Sequence, residues 1–179
     1  MRLGVVLAGG RSRRFGSDKA LALLGGRSLI ETAVATLAAW CDEVVVAGRE
    51  HGPAPTIADW PKPGCGPLGG IAAGLRHAAA RGFDEVLSCG VDSHGMPGAL
   101  PALLSPGPAC LAGQPIVGLW PASACGILCD LLDRSDAADP RSRSLRIFVQ
   151  AVGARRVTLA SDPANINTPE DLARFEKFR

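Results

Sequence analysis

Short apolar runs alternate along this chain with stretches of helical periodicity, and that alternation limits its folds more than any other feature. Leu3 to Leu7 and Val44 to Ala47 contain no polar side chain. A strand that is apolar at every position must be covered on both faces, which is the state of a strand in a parallel sheet between helices. Asp84 to Cys89, Pro115 to Trp120 and Arg156 to Leu159 read as further strands, and Thr56-Ile57 as a short one. Ser28 with Glu31 three residues later forms a capping box that opens a helix to about Ala39. Leu68 to Ala80 has helical spacing and ends near Gly82. Helices are expected over Pro97 to Leu104, Ala124 to Leu132 and Ser144 to Val152, and Thr168-Pro169-Glu170-Asp171 starts the last one. This order gives an α/β fold with a mainly parallel sheet. Pro106-Gly107-Pro108 and Asp136 to Arg143 read as loops, so one domain over residues 1–179 is expected.

Composition removes several function classes. Hydrophobic residues make up 47% and charged residues 20%, which excludes global disorder. Aromatics are 4% with no Tyr, too few for base-stacking platforms, and a net charge of +2 is too weak for a general nucleic-acid binder. The six cysteines include no Cys-x-x-Cys pair and sit in apolar company, so buried, reduced thiols are expected. The N-terminal apolar run is shorter than a signal peptide needs, and no apolar stretch approaches the roughly 20 residues that cross a bilayer. A cytoplasmic chain with neither membrane nor nucleic acid as partner is the expectation.

The strongest local signal is Leu7-Ala8-Gly9-Gly10-Arg11-Ser12-Arg13-Arg14-Phe15-Gly16-Ser17-Asp18-Lys19. It follows the first strand directly, at the strand end where open α/β sheets bind ligands. Its glycines let backbone N–H groups turn toward an anion, and four cationic side chains against one Asp leave it at +3. That concentration suits a nucleoside triphosphate; read alone, the same residues also fit a solvated basic loop. The spacing is neither that of the Walker lysine loop nor that of the dinucleotide fingerprint.

This segment resembles the signature loop of the molybdenum cofactor guanylyltransferases, Leu-Ala-Gly-Gly-x-Ser-x-Arg-Met-Gly-x-Asp-Lys, with Phe15 standing where Met is usual. Three more segments follow in the family's order. Asp59, then Gly66-Pro67-Leu68-Gly69-Gly70, resembles an Asp followed by Gly-Pro-Leu-x-Gly. A strand ends in Asp92, and Asn165-Ile166-Asn167-Thr168-Pro169-Glu170-Asp171-Leu172 resembles the C-terminal motif. Gln114-Pro115-Ile116-Val117 and Ser144-Leu145-Arg146 echo segments on the family's acceptor side. Two departures stand out. Ser93-His94-Gly95 replaces the usual Met-Pro-Phe or Thr-Pro-Phe, and Val46-Ala47-Gly48-Arg49 lacks an Asn that many relatives set against the nucleotide.

The resemblance implies a three-layer α/β/α fold of the nucleotide-diphospho-sugar transferase type, Rossmann-like, with a mixed sheet of about seven strands. It implies that Leu7, Ala8, Gly9 and Gly10 hold the guanosine by their backbone, that Lys19 and Arg14 meet phosphate, and that Asp59 belongs to the guanine site. Asp92 inherits the role of Mg²⁺ ligand, and Gln114, Asn165 and Asn167 the acceptor side. Without the resemblance, Asp59 reads as a turn residue, Asp92 as a helix cap or loop residue and Thr168-Pro169-Glu170 as a helix start. The implied reaction moves GMP from GTP to the phosphate of molybdenum-bearing molybdopterin and releases pyrophosphate. A receiving molybdoenzyme or its chaperone is the further partner implied. An ionised phosphate monoester needs no strong base, so positioning and charge neutralisation carry the chemistry. Two rivals remain at this level: a cytidylyltransferase or another nucleotidyltransferase with a phosphorylated acceptor, and a non-catalytic nucleotide-binding domain.

Overall fold

The computed structural model describes residues 1–9, 15, 18–135 and 144–176. In chain order the elements are β1 (Arg2–Leu7), a 3-10 turn (Lys19–Leu21), β2 (Leu23–Leu24), β3 (Arg27–Ser28), α1 (Leu29–Ala38), β4 (Glu43–Ala47) and β5 (Thr56–Ile57). There follow α2 (Pro67–Arg81), β6 (Glu85–Gly90), β7 (Ser93–His94), α3 (Leu100–Leu104), β8 (Ala109–Leu111), β9 (Gly118–Pro121) and α4 (Cys125–Asp133). The chain continues through α5 (Leu145–Ala151), β10 (Arg155–Val157), β11 (Ala164–Asn165) and α6 (Pro169–Glu176).

Seven strands form one sheet in the order β10-β8-β9-β6-β1-β4-β5. β1 runs parallel to β4 and β6, β4 to β5, and β8 to β10. β9 runs against both of its neighbours, β6 and β8, so the sheet is mixed and mostly parallel. After β1 the chain builds outward through β4 and β5, then returns to the other side of β1 with β6. That reversal opens a crevice at the carboxyl ends of β1, β4 and β6, where open α/β sheets take ligands.

Both sheet faces are covered, as the fully apolar strands demand. On one face Leu3, Val5, Val45 and Val86 pack with Leu68, Ile71 and Leu75 of α2, and with Trp120 and Phe148. On the other, Val6, Val46, Leu87 and Leu119 pack with Ile30 and Leu37 of α1 and Leu100 and Leu104 of α3. A third, smaller cluster joins Phe15, Leu24, Leu29 and Ile166, with Leu172 and Phe175 against it. This cluster brings Ile166, Leu172 and Phe175 of the C-terminal segment beside Phe15, Leu24 and Leu29. Ser28 closes the expected box: its hydroxyl accepts from the Glu31 backbone N–H at 3.3 Å, and its own N–H donates to Glu31 Oε2 at 2.9 Å.

Some expectations shift. Pro115 and Ile116 lie not in a strand but in the turn joining β8 to β9, closed by Val117 N–H donating to the Gln114 carbonyl at 2.9 Å. β8 and the two short ribbons, β2 with β3 and β7 with β11, were not foreseen, because pieces of two or three residues carry no readable period. The third helix begins at Leu100 rather than Pro97. The expected loop from Asp136 to Arg143 lies outside the described residues. All six cysteines are free thiols, and burial pushes Cys41 up to about 12, which keeps it protonated and unreactive. No helix among the described residues is long and apolar enough to cross a membrane.

Candidate active site

A cleft of about 890 Å³ opens at the crevice between β1, β4 and β6. Leu7, Ala8 and Gly9 leave β1 along its floor, and Asp59, Lys19, Asp92 and Asn167 line its walls. Of the residues singled out from the sequence, these seven are brought together. Gln114 and Asn165 do not line the cleft. Gln114 stands behind Asp92, donating to the Pro163 carbonyl and accepting from the Ser93 hydroxyl at 3.3 Å. Asn165 pairs with Ser93 across the β7–β11 ribbon. Gly10 and Arg14 lie outside the described residues.

Lys19 is the centre of the wall. Its ammonium donates to Asp92 Oδ2 at 2.8 Å and to Asn167 Oδ1 at 3.0 Å, with the Lys19 side chain 12% exposed. Three segments far apart in the chain meet at this point. Asp92 leaves the end of β6, and its carbonyl is held by Ile166 N–H at 3.2 Å. Ile166 is fully buried in the third cluster, so it fixes the depth of Asn167. Asp171 completes the placement by accepting from the N–H groups of Asn167 and Thr168, each at 3.0 Å. Those backbone donors hold the Asp171 carboxyl below the usual range. The departure at Ser93-His94 is thus a strand of the ribbon that anchors Asp92 to the C-terminal motif.

The floor is made by close backbone approach. Gly48 has φ +85°, and a Cβ there would lie 2.7 Å from Gly9 Cα. Only glycine fits both demands. Asp59 stands beside these two glycines and accepts no hydrogen bond among the described residues, and burial pushes its carboxyl up. An unpartnered, partly buried carboxylate facing a cleft suits a ligand that brings N–H donors. Opposite, α2 opens with Gly66 at its N-cap and no side-chain cap; Pro67 has no N–H and the Gly69 N–H donates to the Gly66 carbonyl at 3.1 Å, so this terminus offers a ligand the positive end of the helix dipole.

No group of three or more His, Cys, Asp or Glu among the described residues could hold a metal unaided. Asp92 and Asn167 nevertheless aim two oxygens at one cation, the Lys19 ammonium. A carboxylate, an amide oxygen and phosphate oxygens together fit a hard divalent cation that arrives with a nucleotide.

A profile of the MobA-like NTP transferase domain matches residues 4–134. The chain belongs to this family. A molybdenum cofactor guanylyltransferase of Acidiphilium cryptum (strain JF-5) is 37% identical over 190 residues, covering 98% of this chain and 94% of the relative. The solved molybdopterin-guanine dinucleotide biosynthesis protein A of Archaeoglobus fulgidus superposes with a TM-score of 0.74 at 23% identity, covering 99% of this chain and 98% of that one. A Mycobacterium tuberculosis protein solved in complex with manganese has the same fold, with a TM-score of 0.64 at 17% identity and 98% of each chain covered. The family places the chain among nucleotidyltransferases of the nucleotide-diphospho-sugar transferase fold.

Sequence reasoning missed two lining glycines with structural work to do, Gly48 and Gly90. A Gly two residues before a strand-end Asp is the signal that could have pointed to the second. It also missed Arg49, whose guanidinium grips Asp18.

Proposed function

We propose that this chain transfers GMP from GTP to the terminal phosphate of molybdenum-bearing molybdopterin, releasing pyrophosphate. The observation that carries the reading is the convergence of Lys19, Asp92 and Asn167 on one point of the cleft. The guanylyltransferase named above, similar over nearly its full length, supports the choice of substrates.

Each residue then has a task. The backbone of Leu7, Ala8, Gly9 and Gly10 lies against the guanosine, and Asp59 accepts from the N–H donors on the guanine edge. Asp92, with Asn167 beside it, holds Mg²⁺, which when bound neutralises charge on the phosphate oxygens. Lys19 turns its ammonium onto phosphate, and Arg14 adds a second cation. The acceptor phosphate is already ionised, so no side chain takes a proton from it. The cleft supplies orientation and fixed positive charge against the negative charge that builds at the α-phosphate and the departing pyrophosphate. Gln114 and Asn165 brace the acceptor side through the β7–β11 ribbon. One domain carries the whole reaction, in the cytoplasm, and the product passes to a molybdoenzyme or its chaperone.

Pyrophosphate release from GTP, CTP, ATP and UTP, with molybdopterin and Mg²⁺, tests the reading. Release that requires both GTP and the pterin supports it. A preference for CTP would assign cytidylyl transfer instead, and binding without release from any nucleotide would make the chain a carrier.

A further inference from the structure

Lys19 is the first residue of the 3-10 turn that follows β1. The side chain of the residue before it provides the anchor. Asp18 is the N-cap of the 3-10 turn Lys19–Leu21, its Oδ1 accepting from Ala20 N–H at 3.1 Å. The same carboxylate is gripped by Arg49, with Nη2 to Oδ2 at 2.7 Å and Nη1 to Oδ1 at 3.3 Å. Arg49 is fixed in turn, since its Nε donates to the His51 carbonyl at 3.1 Å. Its side chain is 19% exposed and follows Gly48 at the end of β4. The planar fork of arginine thus ties the turn that bears Lys19 to the carboxyl end of β4, a strand paired on both sides.

We propose that Arg49 is the positioning residue for Lys19, acting through Asp18. Arg49 is not among the residues lining the cleft, whereas Asp18 and Lys19 are. A fork-to-carboxylate contact fixes both the distance and the rotation of Asp18, and through the cap it fixes the first residue of the turn. A misplacement of about 1 Å at a charged catalytic group can cost roughly a hundredfold in rate. With the Asp18 side chain 46% exposed the pair is partly solvated and adds little to global stability, so its effect falls on the placement of Lys19.

The inference rests on the guanylyl-transfer reading, and the test separates the two. Arg49→Ala and Arg49→Lys are made in the native chain and in a Lys19→Ala background. Arg49→Ala should lower kcat for GTP-dependent pyrophosphate release about tenfold to a hundredfold, with KM for the pterin unchanged. Arg49→Lys keeps the charge without the fork and should recover only part of the loss. In the Lys19→Ala background, Arg49→Ala should cost less than about twofold, because residues acting as a unit are not additive. A full, additive loss in that background, or native kcat in Arg49→Ala, overturns the inference and leaves the reaction intact. A second readout needs no turnover. The chain has three lysines, so ¹³C-lysine labelling gives a Lys19 ε-carbon signal assignable by its loss in Lys19→Ala. That signal should move in Arg49→Ala and far less in Arg49→Lys, and an unmoved signal overturns the inference whether or not the native chain transfers GMP.

Discussion

Gly90 and Asp92 compete for one volume: a Cβ at position 90 would lie 2.3 Å from Asp92 Oδ1. The Asp92 carboxylate folds back over the end of β6 and reaches Lys19 through its other oxygen. Glycine at the last position of that strand is therefore a condition of the Lys19–Asp92 contact. The backbone there is ordinary strand, so the demand is for space and not for an unusual dihedral angle.

Gly90→Ala should leave the sheet intact and displace the carboxylate. Transfer should fall by about tenfold or more, while the melting temperature changes by no more than a few degrees. Steady-state pyrophosphate release and thermal unfolding on the same preparation check this. Full activity in the variant would mean that the position of the Asp92 carboxylate does not limit the reaction.

Lys19→Ala removes the ammonium that Asp92 and Asn167 share. Turnover should drop by roughly two orders of magnitude, as expected when a cation aimed at developing phosphate charge is lost from a partly dry site. The fold should survive, since Lys19 is part of no hydrophobic cluster. Unchanged guanylyl transfer would remove the loop from the mechanism.

Asp92→Asn keeps the shape and loses the charge. Binding of Mg²⁺ together with GTP should weaken, because this ion relies on carboxylate and phosphate oxygens rather than neutral amides. GTP binding without metal should hold or tighten, since the variant frees the Lys19 ammonium from its carboxylate partner and removes a negative charge near the phosphates. Calorimetric titration with and without Mg²⁺ gives both quantities. An active variant with only a lower melting temperature would make Asp92 a cap residue.

Asp59 gives a pH dependence of stability. Its carboxyl is pushed up by burial, so the folded chain binds that proton more readily than the unfolded one. Ionised Asp59 therefore destabilises the ligand-free fold above its folded pKa, and the penalty disappears as pH falls below the ordinary carboxylate value. Asp59→Asn should raise the melting temperature at pH 7, and the gap over the native chain should narrow as pH falls toward about 4. The same variant should bind GTP more weakly. A gap that stays constant with pH would show that the ionised carboxylate is not strained there.

Much of this structure was legible before any coordinates. Leu3 to Leu7 and Val44 to Ala47 had to be covered on both faces, and they are the central strands β1 and β4. Ser28 with Glu31, and Thr168 with Asp171, mark helix starts through bonds that span three residues. Signals of this kind are local: a side-chain period or a cap is complete within one or two turns of chain. The order of the motifs along the chain was equally plain, and it carried the likeness to guanylyltransferases.

Tertiary structure decided which of those motifs meet. Lys19, Asp92 and Asn167 converge because the strand order reverses between β4 and β6, and because Ile166 is drawn into a cluster with Phe15, Leu24 and Leu29. Nothing within a few residues of Asn167 encodes that encounter. The same holds for β8, whose three residues become a strand only by bonding β9 and β10, and for the Arg49–Asp18 fork across 31 positions. The sequence by itself determined where strands and helices could form and which residues bore suitable chemistry. Only the folded sheet determined their distances, because those depend on burying apolar surface from remote segments together, a free energy that no single segment possesses alone.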